Sequence, residues 1–432
     1  MARFLVATIP VVGHVTPMLS VVEALVAHGH EVWWYTGQLF ATRIQATGAR
    51  FIAMQQGLDY SIRDNVPAEL SAERESLKGI AQLKFDLKYF FIKAAIGNTR
   101  DLLQVLEAFA ADVILADSFF IAAAWVSEIT NLPWAQLGIS VLTLPSEDTA
   151  PFGLGLQPSA SSLGKLRNRG LYSLLQNVVF RDIRQHINQA RSEFSLAPTQ
   201  TGVFDLLSPD LYLAGTVTAF EYPRSDLPPQ VHFIGPLLSQ TVTEFTPPSW
   251  WGELFQGKPV IHVTQGTVAT NPQDLILPTL QALAHEDVLV VAVTGNQPLE
   301  NLPTEDIPAN ARVEAFIPYQ HLLPHVDVMV TNGGYNGVQM ALANGIPLVA
   351  AGKSEDKPEV CARIEWCGAG INLNTQTPKP EQIKQAVTQV LAEQSYRHNA
   401  RRLQAEIQNC QPAETAVNLL EALLTEKQTV QS

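Results

Sequence analysis

The feature that most constrains this chain is a pattern that runs twice: short strand-like runs, each followed by a segment of helical spacing. In the first half the strand-like runs are Arg3 to Thr8, Glu31 to Thr36 and Arg50 to Met54. They are rich in β-branched, aromatic and other apolar residues, the composition that strands favour. Val11 to Pro17 reads as a loop, Met18 to Ala27 as a helix with Gly29 as its C-cap, and a second helix ends near Gly48. Val113 to Ala116 and Trp134 to Leu137 extend the series around a helix at Ile121 to Thr130. Strands separated by helices pair in parallel through crossovers, and the helices then cover both faces of one sheet. The fold class is therefore α/β.

The pattern restarts beyond a Pro-Pro-Ser-Trp-Trp linker at Pro247 to Trp251. Strands are expected at Val260 to Thr264, Val288 to Thr294, Arg312 to Ala315, Val326 to Thr331 and Pro347 to Ala350. Helices are expected at Gln273 to Ala284, Gly337 to Asn344 and Glu359 to Cys367, and from Pro380 onward. A chain of 432 residues exceeds one ordinary core. We expect two tandem α/β domains, residues 1–240 and 241–412, facing a cleft. Residues 413–432 are expected as a terminal helix. The stretches Gln56 to Arg100 and Leu142 to Leu206 are less regular and follow strand ends, where α/β folds carry ligand loops.

Composition narrows the partners. The formal net charge is -13, so bulk nucleic acid is excluded as a partner by repulsion. Any bound phosphate must be held by backbone N–H groups, a helix N-terminus or a few local cations. The three cysteines, Cys361, Cys367 and Cys410, form no Cys-x-x-Cys pair, which supports neither a disulfide framework nor a zinc site. A cytoplasmic protein without a transmembrane segment is expected. Phe4 to Val12 could pass for a signal core, but Pro10 interrupts it and a helical pattern follows.

Two turns in the second half suit an anion. Asn332-Gly333-Gly334-Tyr335-Asn336-Gly337 joins a strand to a helix, presenting bare N–H groups beside a helix N-terminus. Thr264-Gln265-Gly266-Thr267 follows another strand of the same domain and could reach the same phosphates. In the first half, His14 follows the first strand and Asp117 ends another. Histidine can take a proton near neutral pH, and a carboxylate beside it fixes the tautomer and supports the cation. Taken alone, His14 reads first as a structural loop histidine.

From Val260 to Asn372 the sequence resembles nucleotide-sugar glycosyltransferases of the GT-B fold, a group that includes UDP-glycosyltransferases and natural-product and macrolide glycosyltransferases. The resemblance rests on Phe316-Ile317-Pro318, Leu322-Leu323-Pro324, Thr331 to Gly334, Ala341-Leu342, Gly345-Ile346-Pro347 and Asp356-Lys357-Pro358, in order and spacing. Gly13-His14-Val15-Thr16-Pro17 resembles the family's opening loop.

The resemblance implies two Rossmann-like domains and an inverting, metal-independent transfer of a sugar from a UDP- or dTDP-sugar, UDP first, to a hydroxyl of a small acceptor. It places His14 as base and Asp117 as its support. Gly13, Thr267, Asn332, Gly333, Gly334, Asn336 and Gly337 fall at the donor, Phe316 and Ile317 at the base, Asp356 and Lys357 at the sugar. No cofactor beyond the nucleotide-sugar co-substrate is implied. Three residues depart from the family pattern: Asn332 stands for the usual His, Met340 for a Glu that grips the ribose, and Lys357 for a Gln. The acceptor is expected to be apolar, planar or lipid-like, because the apolar stretches Leu83 to Ile96 and Val141 to Leu156 can line a cleft. A non-catalytic partner or activator protein and a sugar-nucleotide epimerase are the rival readings on the same fold.

Overall fold

A computed structural model describes residues 1–238, 245–266, 271–295 and 307–431. The first sheet holds seven parallel strands in the order β3-β2-β1-β4-β5-β6-β7. These are β1 (Arg3–Ala7), β2 (Glu31–Thr36), β3 (Arg50–Ala53), β4 (Val113–Asp117), β5 (Trp134–Gly138), β6 (Leu211–Ala214) and β7 (Val231–Phe233). The second holds six in the order β10-β9-β8-β11-β12-β13. They are β8 (Val260–Thr264), β9 (Leu289–Val293), β10 (Ala311–Glu314), β11 (Val328–Thr331), β12 (Leu348–Ala350) and β13 (Gly370–Asn372). Every strand pair is parallel, as in β1 with β4, where Ala7 faces Ala116, and β8 with β11, where Thr264 faces Thr331.

Both sheets are two Rossmann-type windings with the same reversal of direction: the chain moves outward from β1 to β3, then returns to place β4 on β1's other side. Such a reversal leaves a crevice beyond the C-terminal ends of the two central strands, because the loops leaving them turn to opposite faces. The central strands are mostly apolar because parallel sheets are covered on both sides. Phe4 to Ala7 and Val113 to Ala116 are fully buried, as are Ile261 and Val263.

The structure moves one boundary that bears on function. Val11 to Pro17 is not a loop: the helix Val12–Ala27 starts immediately after the strand exit and runs through Pro17. Proline lacks an N–H to donate to Gly13, but the first turn is secured by His14 and Val15, whose N–H groups donate to Val11 O at 2.9 and 3.0 Å. The terminal helix Pro412–Gln431 lies on the first half, burying Ala416, Val417 and Leu420 in one cluster with Phe4, Val6 and Met18.

His28, the C-cap residue of the helix Val12–Ala27, and His30 serve this docking through their side chains. His28 Nε2 lies 3.1 Å from Glu414 Oε2, and His30 Nε2 2.9 Å from Glu421 Oε1. His30 Nδ1 accepts the Ala2 N–H at 3.2 Å, so its proton sits on Nε2, facing Glu421. Trp250 and Trp251 of the linker find their ring and hydrogen-bond partners in Phe245, His325 and Glu314, all of the second half. Among the described residues no helix is long and apolar enough to cross a membrane.

Candidate active site at the two switch points

The crevice of the first sheet brings together the two residues expected to act on a proton. Asp117 is the last residue of β4 and is fully buried. Its Oδ2 accepts the N–H of Ile9, just past β1, at 2.7 Å, and its Oδ1 accepts the N–H of Phe119 at 2.9 Å. These bonds lock the carboxylate between the two central strands. His14 Nδ1 stands 3.0 Å from the same Oδ1, so Nδ1 carries the proton and Nε2 is left with a lone pair. The imidazole is 17% exposed, and Nε2 has no partner among the described residues. His14 therefore has the tautomer, the support and the access a general base needs.

Beside the imidazole lies an aromatic wall. Phe119 is centred 6.0 Å from the His14 ring and in turn 6.2 Å from Phe91 and 6.2 Å from Phe204. Phe152 packs on Phe204 at 5.2 Å. Tyr60, Phe90, Phe91 and Phe119 line a small cleft next to Ile9 and Pro10. Phe90, Phe91 and Phe152 come from the two irregular stretches that follow strand ends.

The crevice of the second sheet carries the glycine turn. Gly333 has φ 83°, and a Cβ there would fall 2.5 Å from Cys361 Sγ, so the turn requires glycine both for its backbone and for its packing. Gly334 caps the helix Tyr335–Ala343 with extended backbone and no side-chain cap. The first-turn N–H groups of that helix, at Tyr335, Asn336 and Gly337, have no acceptor within the helix, and the dipole adds positive potential there. Asn332 is buried, and one hydrogen of its amide goes to Gln265 O while its Oδ1 accepts the Gly334 N–H at 3.3 Å. It fastens the turn after β11 to the turn after β8, a structural use that leaves anion contact mainly to the backbone. Thr267 lies outside the described residues.

Other expected donor residues lie along the same C-terminal edge of the sheet. Phe316 follows β10 and is 56% exposed, open for stacking, while Ile317 beside it is buried. Asp356 caps the helix Lys357–Trp366 and meets Ser140 Oγ at 2.5 Å. The Lys357 ammonium is folded onto Glu355 and lies 3.2 Å from Ser354 Oγ.

The two crevices face one another. Pro17, one turn beyond His14 on the same helix, lines a space shared with Tyr335 and Asn336 at the second helix's N-terminus. Tyr335 donates its hydroxyl to Gly215 O at 3.0 Å across the same gap. Ser140 was not singled out by the sequence reading, although its place two residues past β5 is the signal that could have found it. Gly13, within the first turn, has open space where a Cβ would stand.

Comparison with known proteins agrees with this architecture. Residues 276–423 match the family described as Erythromycin biosynthesis protein CIII-like, C-terminal domain. The chain is 48% identical over 426 residues to 4'-demethylrebeccamycin synthase of Lentzea aerocolonigenes, covering 98% of this chain and 100% of that one. It is 32% identical to UDP-glycosyltransferase 2 of Phaeomoniella chlamydospora, covering 97% and 95%. The solved glycotransferase of kitacinnamycin superposes with a TM-score of 0.77 at 20% identity, over 98% and 99% of the two chains, which shows the shared fold. With two facing Rossmann-type windings and relatives aligned along almost its whole length, the chain belongs to the nucleotide-sugar glycosyltransferases of the GT-B fold and transfers sugar from a nucleotide sugar to an acceptor.

Proposed function

We propose that this chain is an inverting glycosyltransferase in which His14 is the base and the glycine turn of the second half holds the diphosphate. The observation that carries this reading is the His14–Asp117 pair at 3.0 Å, with Nε2 left for an acceptor hydroxyl. In the proposed step His14 Nε2 takes the hydroxyl proton as the acceptor oxygen bonds to the anomeric carbon. The bond from that carbon to the phosphate oxygen breaks, and configuration inverts. Asp117 stabilises the imidazolium. Negative charge grows on the departing nucleoside diphosphate, where the N–H groups of Tyr335, Asn336 and Gly337 and the helix dipole favour it.

The acceptor in this reading is a small molecule with an apolar, planar body. Phe91, Phe119 and Phe204 support it, because aromatic faces beside the base select flat apolar surface while a hydroxyl reaches His14. Asp356 reads the donor sugar from the opposite side. Phe316 is the proposed stacking face for the base.

The test is purified protein with UDP- and dTDP-sugars and a panel of phenols, sterols, macrolides and charged sugars, read by mass spectrometry. A glycosylated phenol or other flat acceptor, of inverted anomeric configuration by NMR, is the expected result. Nucleotide release with no glycosylated product, or products only on charged sugars, would overturn the reading.

A further inference from the structure

The helix Lys357–Trp366 touches both sides of the proposed site. Glu359, in its first turn, accepts the N–H groups of Gly153 and Gly155 on one oxygen, Oε1, at 3.0 and 2.8 Å. Its other oxygen, Oε2, accepts from Arg363 at 3.0 Å. Arg363 is in turn fixed by Glu221 of the first half, with Nε 2.8 Å from Oε1. A carboxylate held by a buried guanidinium thus reaches across the gap to two backbone donors, and charge-assisted bonds of this kind are stronger than neutral ones. The loop sits directly on the helix: Gly155 has φ 60°, and a Cβ there would fall 2.9 Å from Pro358 O.

Each end of this contact leads to one substrate. Phe152, adjacent to Gly153, packs on Phe204 at 5.2 Å and so belongs to the aromatic wall beside His14. On the other side the helix underlies the glycine turn, since a Cβ on Gly333 would fall 2.5 Å from Cys361 Sγ and one on Gly352 would fall 2.8 Å from Lys357 Cβ. Packing this close cannot shift at one point without shifting its neighbours.

We propose that Glu359 is a positioning residue that couples the donor site to the acceptor loop: nucleotide in the second half secures the helix, and Glu359 then seats residues 152–155 to complete the acceptor wall. The inference rests on the proposed donor site in the second half. A purely static tie would hold the loop equally with and without nucleotide, which separates the two possibilities.

The experiment is hydrogen exchange by mass spectrometry on the full chain, with and without UDP or dTDP. If neither nucleotide binds, both the donor-site reading and this inference fall. If one binds, exchange in residues 150–158 should slow several-fold; unchanged exchange in a protein that binds nucleotide overturns the inference alone. In Glu359→Ala the slowing should vanish while nucleotide affinity holds. Its acceptor KM should rise roughly tenfold with kcat little changed, the signature of lost acceptor seating. Glu359→Gln keeps an oxygen for both N–H groups and should fall between Ala and wild type. An acceptor KM for Glu359→Ala equal to wild type, or a Gln variant no better than Ala, overturns the inference. Should the Ala variant fail to fold by circular dichroism, the wild-type exchange result decides.

Discussion

Ser140 Oγ donates to Asp356 Oδ2 at 2.5 Å, joining the residue two past β5 in the first half to the cap of the helix Lys357–Trp366 in the second. The carboxylate proposed to read the donor sugar is thus engaged by the opposite half of the protein. A sugar that binds Asp356 must share or displace that hydroxyl.

Burial is the largest influence on Asp356 and holds its carboxyl above the ordinary range, against the Ser140 bond and Lys357, which pull it down. A raised folded value means a contribution present in full below the unfolded carboxylate range and lost as pH rises through the folded value. Asp356→Asn removes that titration and keeps an acceptor for Ser140. Its melting temperature should exceed wild type at neutral pH, with the difference closing near about pH 4. Isothermal titration should show weaker binding of the sugar nucleotide with free nucleotide unaffected.

His14→Ala should lower transfer by about 10²–10⁴-fold while nucleotide affinity holds. Asp117→Asn should also lose activity, because its amide can turn a hydrogen toward Nδ1 and favour the tautomer that blocks Nε2. Steady-state kinetics with nucleotide binding measured alongside checks both variants.

Glu221 and Arg363 form a fully buried pair between the halves, at 2.5 Å. Burial alone would push the Glu221 carboxyl up, but Arg363 and then Arg224 outweigh it and hold it below its usual range. With a lowered folded value, the stability it contributes is present above the ordinary carboxylate range and lost as pH falls through the folded value. Arg363→Met leaves a buried carboxylate short of its main partner and should cost about 3–5 kcal/mol at neutral pH. Denaturant unfolding at pH 7 and pH 5 should show the penalty shrinking as the carboxyl protonates.

Gly333→Ala meets two obstacles, a φ of 83° and the Cys361 sulfur. The left-handed backbone alone costs about 1–2 kcal/mol for a residue with a Cβ. Nucleotide affinity should fall, and thermal stability with it. Gly13→Ala is the contrast, because it sits in a helix with open space around it and should stabilise by about 0.5–1 kcal/mol.

The strand-end positions of the candidate residues were legible in the sequence. Asp117 closes an apolar run, and the Asn332 to Gly337 turn stands between a strand and a helix, so local pattern sufficed for both. His14 is read in the right neighbourhood but in the wrong element, a loop, whereas the bonds of His14 and Val15 to Val11 O open a helix there. β6 and β7 are short and sit among turn residues, so no periodicity marked them. Glu359 was beyond reach for another reason, and the place of Ser140 past a strand end did not reveal its partner. Their roles depend on partners 206 and 216 residues away, at Gly153 and Asp356, and spacing along a chain says nothing about such meetings.

The chain leaves the first sheet after Phe233 and comes back to it with the helix Pro412–Gln431, so two covalent passages join the halves instead of one. Bodies on a single thread can tumble; here the second half cannot turn away without peeling that helix from Phe4, Val6 and Met18.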